Sequence, residues 1–193
     1  SLKDKTISGV VIDSRKVEKD FLFVAVKGAK VDGHKFIPDV MEKGAAAVLS
    51  EQKLENPVGP YILVENTLEA LKLLAEFYRK SLDIKVVGIT GSVGKTSTKE
   101  MVASVLGEKY NVLKTEGNFN NEIGLPLTIF QLREEHEVAV LEMGISEFGE
   151  MHRLATMANP DICIITNIGL CHLENLKTRD GILKAKTESF LHL

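Results

Sequence analysis

Cysteines, excess positive charge and long apolar runs are all scarce in this chain of 193 residues. Its two cysteines, Cys163 and Cys171, fit neither a zinc-binding spacing nor a disulfide framework. The formal net charge of -3 offers no basic footprint for a nucleic acid. No apolar run approaches the roughly 18 residues of a membrane span, and no stretch resembles a signal peptide. We therefore expect a soluble protein of a reducing, cytoplasmic compartment.

The length allows one or two domains, and the pattern of residues favours two. Residues 1–82 predict a small amino-terminal α/β domain, because β-branched apolar runs alternate there with polar turns and one amphipathic helix. A break at residues 81–83 marks the predicted boundary. The predicted strands are 7–12, 20–26, 45–49 and 61–65, and the predicted helices are 38–43 and 67–80.

Residues 83–193 predict a second α/β domain, in which strands and helices alternate. That alternation indicates a parallel sheet with helices on both faces, and ligands bind such sheets at the carboxyl ends of the strands. The chain stops within an apolar helical pattern, so we expect this domain to be incomplete and the chain to be a fragment of something longer. The predicted strands are 84–90, 109–114, 137–142 and 161–167, and the helices are 95–107, 124–131, 149–157 and one from about 178.

The segment IKVVGITGSVGKTSTKE carries an apolar strand into a glycine-rich turn that opens a helix. Backbone N–H groups in such a turn converge on a phosphate, and the helix adds its own free N–H groups. We predict a phosphate loop of the P-loop type, in which Lys95 reaches the β/γ-phosphates and the Thr96 hydroxyl binds Mg²⁺. The spacing departs from the strict motif, and the alternative is an ordinary turn with a solvated lysine. The predicted nucleotide-binding residues are Gly91, Ser92, Val93, Gly94, Lys95, Thr96 and Ser97.

Further polar residues follow the predicted strands. Glu142 ends an apolar run, where P-loop enzymes place a carboxylate for Mg²⁺; the alternative is a solvated strand end. The amides of TEGNFNNEIGLP and of Thr166-Asn167 could meet a ligand or simply build their loops. A lone histidine such as His172 is more often structural than functional. On pattern alone, Lys184 and Lys186 are exposed helix lysines.

Four segments occur in an order that resembles the Mur ligase family. They are GITGSVGKTSTKEM, TEGNFNNEIGLP, VLEMG and TNIGLCHLENLKTRDGILKAKTE, and VIDSRKVEKDFLFVAVKGAKVDGHKFI resembles the family's amino-terminal domain. The resemblance implies an ATP-dependent amide ligase of peptidoglycan precursor synthesis. Its strongest form is with members that join D-alanyl-D-alanine to UDP-N-acetylmuramoyl-tripeptide through an acyl phosphate. Residues 1–82 would hold the UDP-sugar and residues 83–193 would hold ATP. The resemblance also implies that the family's carboxyl-terminal domain is absent from this segment.

The resemblance also implies roles for individual residues. Thr96 and Glu142 resemble ligands of a first Mg²⁺, and His172 resembles a ligand that helps hold a second. Lys186 resembles a lysine that CO₂ converts to a carbamate, whose oxygens can bind metal whereas an ammonium cannot. The catalytic set implied is Lys95, His172 and Lys186. Ser14, Arg15, Asn118 and Asn121 resemble substrate-binding residues.

Other functions stay open at this point. Within the family, the chain could come from the ligase that adds the third residue of the same peptide, or from a folylpolyglutamate synthase. Outside it, a P-loop kinase, a GTP-binding switch or a nonenzymatic nucleotide-binding module shares the phosphate loop, although no N-K-x-D-like guanine signature is present. We expect a bacterial, cytoplasmic monomer that binds small-molecule substrates and neither nucleic acid nor a membrane. We expect the present segment to be inactive by itself.

Overall fold

The computed structural model describes residues 6–28 and 31–193. The chain divides into two compact units, residues 1–71 and 72–193. The predicted boundary at residue 82 stays a prediction, because compactness alone does not assign the helix that spans the division to either domain. Among the residues described, every helix is too short or too polar to cross a membrane.

The first unit is built on a four-stranded parallel sheet in the order β1-β2-β3-β4. β2 and β3 form its centre, and Phe23 and Val48 on these strands are fully buried. Helix α1 adds Ile37 and Val40 to the same apolar cluster. The elements are β1 (Gly9–Val11), a 3₁₀ turn (Ser14–Lys16), β2 (Phe21–Val24), a 3₁₀ turn (Gly33–Phe36), α1 (Ile37–Glu42), β3 (Ala47–Ser50) and β4 (Tyr61–Leu63).

The second unit holds another four-stranded parallel sheet, in the order β6-β7-β5-β8. Helix α2 (Thr67–Lys80) leads into it from the first unit. The other elements are β5 (Lys85–Thr90), α3 (Lys95–Gly107), β6 (Val112–Lys114), α4 (Gly124–Ile129), β7 (Val138–Glu142), α5 (Glu150–Ala158), β8 (Ile162–Ile165), α6 (Leu173–Leu176), α7 (Arg179–Thr187) and a 3₁₀ turn (Glu188–His192).

Helices cover both faces of this second sheet. Side chains alternate along a strand, so β5 sends Val86 to one face and Val87 with Ile89 to the other. The first face packs against α4, α5 and α7, and the second packs against α3 through residues such as Ala103. The predicted α/β class, with parallel sheets flanked by helices, is therefore confirmed.

Apart from α2 and α3, the predicted elements differ from the observed ones by one to three residues at one or both ends, and one α-helix was not predicted. β6 begins at Val112 and not at residue 109, because the N–H groups of Lys109 and Tyr110 donate to the Leu106 carbonyl and extend the turn that ends α3. β8 ends at Ile165, two residues early. Helix α6 was not predicted; it is only four residues long and starts after His172, whose φ of 51° lies in the left-handed region.

Arg79, in the last turn of α2, is a buried cation that ties three parts of the second unit together. Its side chain is 4% exposed. The guanidinium donates to the carbonyls of Leu82 and Ile84 at 3.1 and 2.9 Å, and to those of Ala158 and Asn159 at 3.1 and 3.3 Å. Burial lowers its pKa below the ordinary value. These bonds join the end of α2 to the start of β5 and to the end of α5.

We expect Arg79→Met to destabilise the second unit by roughly 2–4 kcal/mol, because it leaves buried carbonyl groups without donors. Urea unfolding measures the difference. The matched control is Lys80→Met on the same helix, which removes only an exposed pair with Glu76 and should cost less than about 0.5 kcal/mol. Equal unfolding midpoints for the two variants would contradict this interpretation of Arg79.

Candidate active site

The carboxyl ends of three neighbouring strands meet at one edge of the second sheet. In the register of the sheet, Ile89 of β5 lies opposite Glu142 of β7, and Thr90 lies opposite Ile165 of β8. The glycine-rich turn follows Thr90 directly. The predicted phosphate loop, the predicted metal-binding carboxylate and the loop after β8 are therefore brought together by the parallel register alone.

Two glycines shape the turn between β5 and α3. Gly91 has a φ of 147°, and a Cβ atom there would lie 1.9 Å from the Thr166 hydroxyl oxygen. Gly94 has a φ of 80° with open space around it, and α3 begins at the next residue. Gly91 is thus required by close approach and Gly94 by backbone conformation. The first N–H groups of α3 have no partner within the helix and are the usual donors to an anion.

The loop after β8 fixes the glycine-rich turn through a set of short contacts. Asn167 accepts from the Val93 N–H through Oδ1 at 3.2 Å and donates to the Val93 carbonyl through Nδ2 at 3.1 Å. The Thr166 hydroxyl donates to the same carbonyl at 2.6 Å. The Ser92 N–H donates to the Asn167 carbonyl, and the Ser92 hydroxyl lies 3.0 Å from the Gly169 nitrogen. Thr166 and Asn167, which the sequence left ambiguous, hold the turn in this shape.

Glu142 is a buried carboxylate whose hydrogen bonds come from neutral groups. It is 2% exposed at the end of β7. Oε2 accepts from the Thr96 hydroxyl at 3.0 Å, and Oε1 accepts from Asn120 Nδ2 at 2.8 Å. No ion pair joins it to a cation anywhere in residues 6–28 and 31–193. Burying an uncompensated charge is costly, so this site has the chemistry of a cation ligand.

Two lysines converge on the Gly91 carbonyl oxygen. Lys95 Nζ donates to it at 3.0 Å and Lys186 Nζ at 3.2 Å. Lys186 is only 1% exposed. Burial lowers the pKa of Lys186; nearby Cys171 opposes this shift, and the charge of Lys95 adds to it. Burial therefore makes the neutral amine, the form that reacts with CO₂, easier to reach at Lys186 than at an exposed lysine.

His172 is placed differently from the other predicted metal ligands. It is exposed and immediately precedes α6, and its ring has no hydrogen-bond partner among the described residues. Across the described part of the chain, no three His, Cys, Asp or Glu side chains form a group suited to a metal ion. The preceding Cys171 does reach the glycine-rich turn, with its sulfur 3.2 Å from the Ser92 hydroxyl.

The predicted substrate-binding asparagines have distinct surroundings. Asn121 Oδ1 accepts from the N–H groups of Ile123 and Gly124 at 3.1 and 2.8 Å, so it starts α4. Asn118 is exposed, and its carbonyl accepts from the Asn120 N–H. Asn120, which was not among the predicted site residues, is the amide that contacts Glu142. Its position in the asparagine-rich segment was the only signal in the sequence that could have suggested it.

Ser14 and Arg15 belong to the first unit. The Ser14 carbonyl accepts from Lys43 Nζ at 2.9 Å. Arg15 is 87% exposed and forms a two-pronged pair with Asp13, with distances of 2.9 Å from Nε to Oδ1 and 2.7 Å from Nη2 to Oδ2. Hydrogen bonds from Arg15 lower the pKa of Asp13 to about 2. The guanidinium is therefore held close to the turn that carries Ser14.

Comparison with known proteins supplies the family. Residues 89–193 match the Mur ligase middle domain, and residues 6–79 match a second Mur ligase family domain, described as catalytic. The UDP-N-acetylmuramoyl-tripeptide–D-alanyl-D-alanine ligase of Bacillus subtilis is 50% identical over 184 residues, covering 94% of this chain and 40% of that protein.

Solved structures agree. MurF from Acinetobacter baumannii superposes with a TM-score of 0.90 at 36% identity, over 97% of this chain and 41% of that one. MurF ligase from Thermotoga maritima in complex with ADP gives 0.89 at 40% identity, over 98% and 44%. The chain thus spans about two fifths of the length of these relatives. Since the middle-domain match, residues 89–193, covers more than half of it, the chain belongs to the Mur ligase family.

Proposed function

We propose that the complete protein containing this chain joins D-alanyl-D-alanine to UDP-N-acetylmuramoyl-tripeptide at the expense of ATP. One observation carries the proposal from geometry: a buried carboxylate without a cationic partner, Glu142, touches the first turn of the helix that follows a glycine-rich loop. The names of the relatives supply the substrates. The T. maritima relative binds ADP, which supports a nucleotide at this loop.

The reaction needs an activated carboxyl group, because a carboxylate is a poor electrophile. An oxygen of the terminal carboxylate of the UDP-linked tripeptide attacks the γ-phosphorus of ATP, and the bond from that phosphorus to the β–γ bridging oxygen breaks. ADP leaves, and an acyl phosphate forms. The amine of D-alanyl-D-alanine then attacks the acyl carbon. The C–N bond forms, the amine loses its proton, the C–O bond to phosphate breaks, and inorganic phosphate leaves.

Lys95 and the start of α3 serve the phosphoryl transfer. The ammonium of Lys95 lies over the glycine-rich turn at the Gly91 carbonyl, where it can neutralise charge on the β- and γ-phosphates. Fixed donors and charges of this kind do most of the work in phosphoryl transfer. The contacts of Thr166 and Asn167 keep the turn in place before the nucleotide arrives, so little reorganisation accompanies binding.

Magnesium fits the pair formed by Thr96 and Glu142, since hydroxyl and carboxylate oxygens are its preferred ligands. When bound there, it would offset the negative charge of the phosphates. Asn120 orients the carboxylate from the other side. A second ion, with His172 as a ligand, rests on family resemblance alone, since His172 is exposed and lies in no described ligand cluster.

We further propose that Lys186 acts as a carbamate. Its amine is buried and forms no ion pair with a carboxylate of the described chain, and its pKa is lowered. A carbamate would replace a positive charge beside Lys95 with an anion, which turns repulsion into attraction.

Residues 1–82, with Ser14 and Arg15, would hold the UDP-sugar. Asn118, with its exposed side chain, would contact the substrate, and Asn121 would do so through its Nδ2. A bacterial cytoplasm is the compartment that fits these substrates.

The decisive experiment is phosphate release by the complete protein with ATP and Mg²⁺. We expect release only when both UDP-N-acetylmuramoyl-tripeptide and D-alanyl-D-alanine are present, with one amide formed per phosphate. Lys95→Met serves as the impaired control and should lower kcat by on the order of 10² or more. Release with folate and glutamate would identify a different ligase, and phosphoryl transfer without an amide product would identify a kinase.

Gly91→Ala should weaken nucleotide binding by about tenfold or more, or roughly 1.4 kcal/mol. The added methyl group meets the Thr166 hydroxyl oxygen at 1.9 Å and forces a φ of 147° on a residue with a side chain. The matched control is Gly107→Ala at the end of α3, where no atom lies within 4 Å of the added carbon. Titration with a fluorescent ATP analogue measures both affinities, and equal affinities would argue against the geometry of the loop.

Lys186→Ala should lower kcat by on the order of 10², by analogy with the loss of one preorganised group, and short carboxylic acids should restore part of the activity. Lys184→Ala, which changes an exposed lysine on the same helix, should leave kcat unchanged and should not respond to the acids. Full activity of Lys186→Ala without an additive would dismiss the carbamate.

A further inference from the structure

Lys99 is the second buried lysine of this unit, and the proposed mechanism has not used it. It lies one turn after Lys95 on α3 and is 1% exposed. Its ammonium donates to the Thr115 carbonyl at 2.6 Å and lies 3.0 Å from the carboxylate of its neighbour Glu100. Burying an ammonium costs several kcal/mol even when it is paired, so stability alone is a weak reason for a lysine here.

Thr115 connects this ammonium to the candidate metal site. It is fully buried and is the first residue after β6. Its N–H donates to the Val140 carbonyl, and its hydroxyl accepts from the Glu142 N–H at 3.0 Å. Thr115 therefore holds the last residue of β7 through the backbone, while Lys99 holds Thr115.

The segment that follows Thr115 returns to the same carboxylate. The Asn120 amide donates to Glu142 Oε1 at 2.8 Å, and the Gly144 N–H donates to the Asn120 carbonyl at 2.8 Å. A displacement of Thr115 would thus move both the segment that leads to Asn120 and the backbone of Glu142. Thr115 and Asn120, at the two ends of this short segment, therefore both form a hydrogen bond with Glu142.

Residues three apart on a helix share a face, and Thr96 and Lys99 are such a pair. Thr96 contacts the carboxylate of Glu142 directly, at 3.0 Å. Lys99 acts on the backbone of Glu142 through Thr115. Helix α3 begins at the phosphate loop. It therefore contacts the Glu142 side chain directly through Thr96 and is linked to the Glu142 main chain through Lys99 and Thr115.

We propose that Lys99 is a positioning residue, which fixes the Glu142 carboxylate relative to the glycine-rich loop through the Thr115 carbonyl. It touches neither nucleotide nor metal in this scheme. The role in turnover rests on the proposed function, whereas the mechanical link from Lys99 to Glu142 does not. The two statements can therefore be tested separately.

The first measurement is hydrogen–deuterium exchange of the complete protein without nucleotide or metal. Lys99→Met removes the donor and keeps most of the apolar stem. We expect exchange in residues 115–121 and at Glu142 to accelerate by about tenfold, a typical coupling through one shared contact, while the rest of the sheet is unchanged. Lys109→Met, just after α3, is the matched control and should alter none of these amides. Acceleration spread evenly over the whole unit would reveal a merely structural lysine and overturn the proposal.

The second measurement is the Mg²⁺ concentration that gives half-maximal phosphate release. We expect Lys99→Met to raise it by about tenfold and to lower kcat, with little change in KM for D-alanyl-D-alanine. An unchanged Mg²⁺ requirement together with unchanged exchange would refute the role of Lys99. If the unmodified protein releases no phosphate with the proposed substrates, the proposed function fails, and the exchange measurement still decides on the link.

Thr115 provides a second route to the same answer, including the case in which Lys99→Met does not fold. Thr115→Val deletes the hydroxyl that accepts from the Glu142 N–H, whereas Thr115→Ser keeps it. We expect Thr115→Val to accelerate exchange at Glu142 by about tenfold and Thr115→Ser to leave it near the original rate. The double variant Lys99→Met/Thr115→Val should be no worse than the stronger single variant. Equal behaviour of the Val and Ser variants, or additive effects in the double variant, would contradict the proposed link.

Discussion

A buried acid at the end of a parallel strand is the constraint around which the second unit is organised. Glu142 is 2% exposed and is held by a hydroxyl and an amide, with no ion pair among the described residues. A carboxylate in such a place is unfavourable until a cation joins it. The parallel order of β7, β5 and β8 sets the glycine-rich turn beside it, because strands that run in one direction end at one edge. A cation bound beside this carboxylate, as in the proposed magnesium–nucleotide site, would offset the cost of burying it.

The same edge carries a second electrostatic conflict, between Lys95 and Lys186 at the Gly91 carbonyl. One carbonyl oxygen cannot compensate two full positive charges. Burial lowers the pKa of Lys186, and the charge of Lys95 adds to that shift. A phosphate close to both lysines, or a carbamate formed on Lys186, would remove this repulsion. The lysines supply positive charge to the site and Glu142 supplies negative charge, and the proposed magnesium–nucleotide complex would bring charges of both opposite signs.

The features that could be predicted from the sequence are those that depend on residues close together along the chain. The helix periodicity of α2 and the glycine spacing before α3 are local signals, and both helices have the predicted bounds, residues 67–80 and 95–107. Glu142 could be selected as a candidate for the same reason, because an acidic residue directly after an apolar run is a local pattern in the sequence. The prediction extended β8 over Thr166 and Asn167, which directly follow its apolar residues. In the structure the side chains of these two residues form hydrogen bonds to the neighbouring glycine-rich turn.

Contacts between distant residues could not be read in this way. Asn118, Asn120 and Asn121 are alike in sequence, yet one is exposed, one binds Glu142 and one starts α4; only the path of the chain separates them. Arg79 and Lys99 likewise look like solvated helix residues in the sequence, because each donates a hydrogen bond to a carbonyl that lies far along the chain, that of Ala158 or that of Thr115.

The two buried lysines of this unit show how such contacts decide chemistry. Lys99 and Lys186 are equally hidden, at 1% exposure each. Lys99 has a short bond to a carbonyl and a carboxylate 3.0 Å away, so its charge is compensated where it stands. Lys186 has one carbonyl that it shares with another ammonium, and no carboxylate pairs with it in the described chain. Equal burial therefore fits the two different roles proposed for them: a compensated ammonium is suited to holding the backbone in place, and an uncompensated amine is suited to reacting.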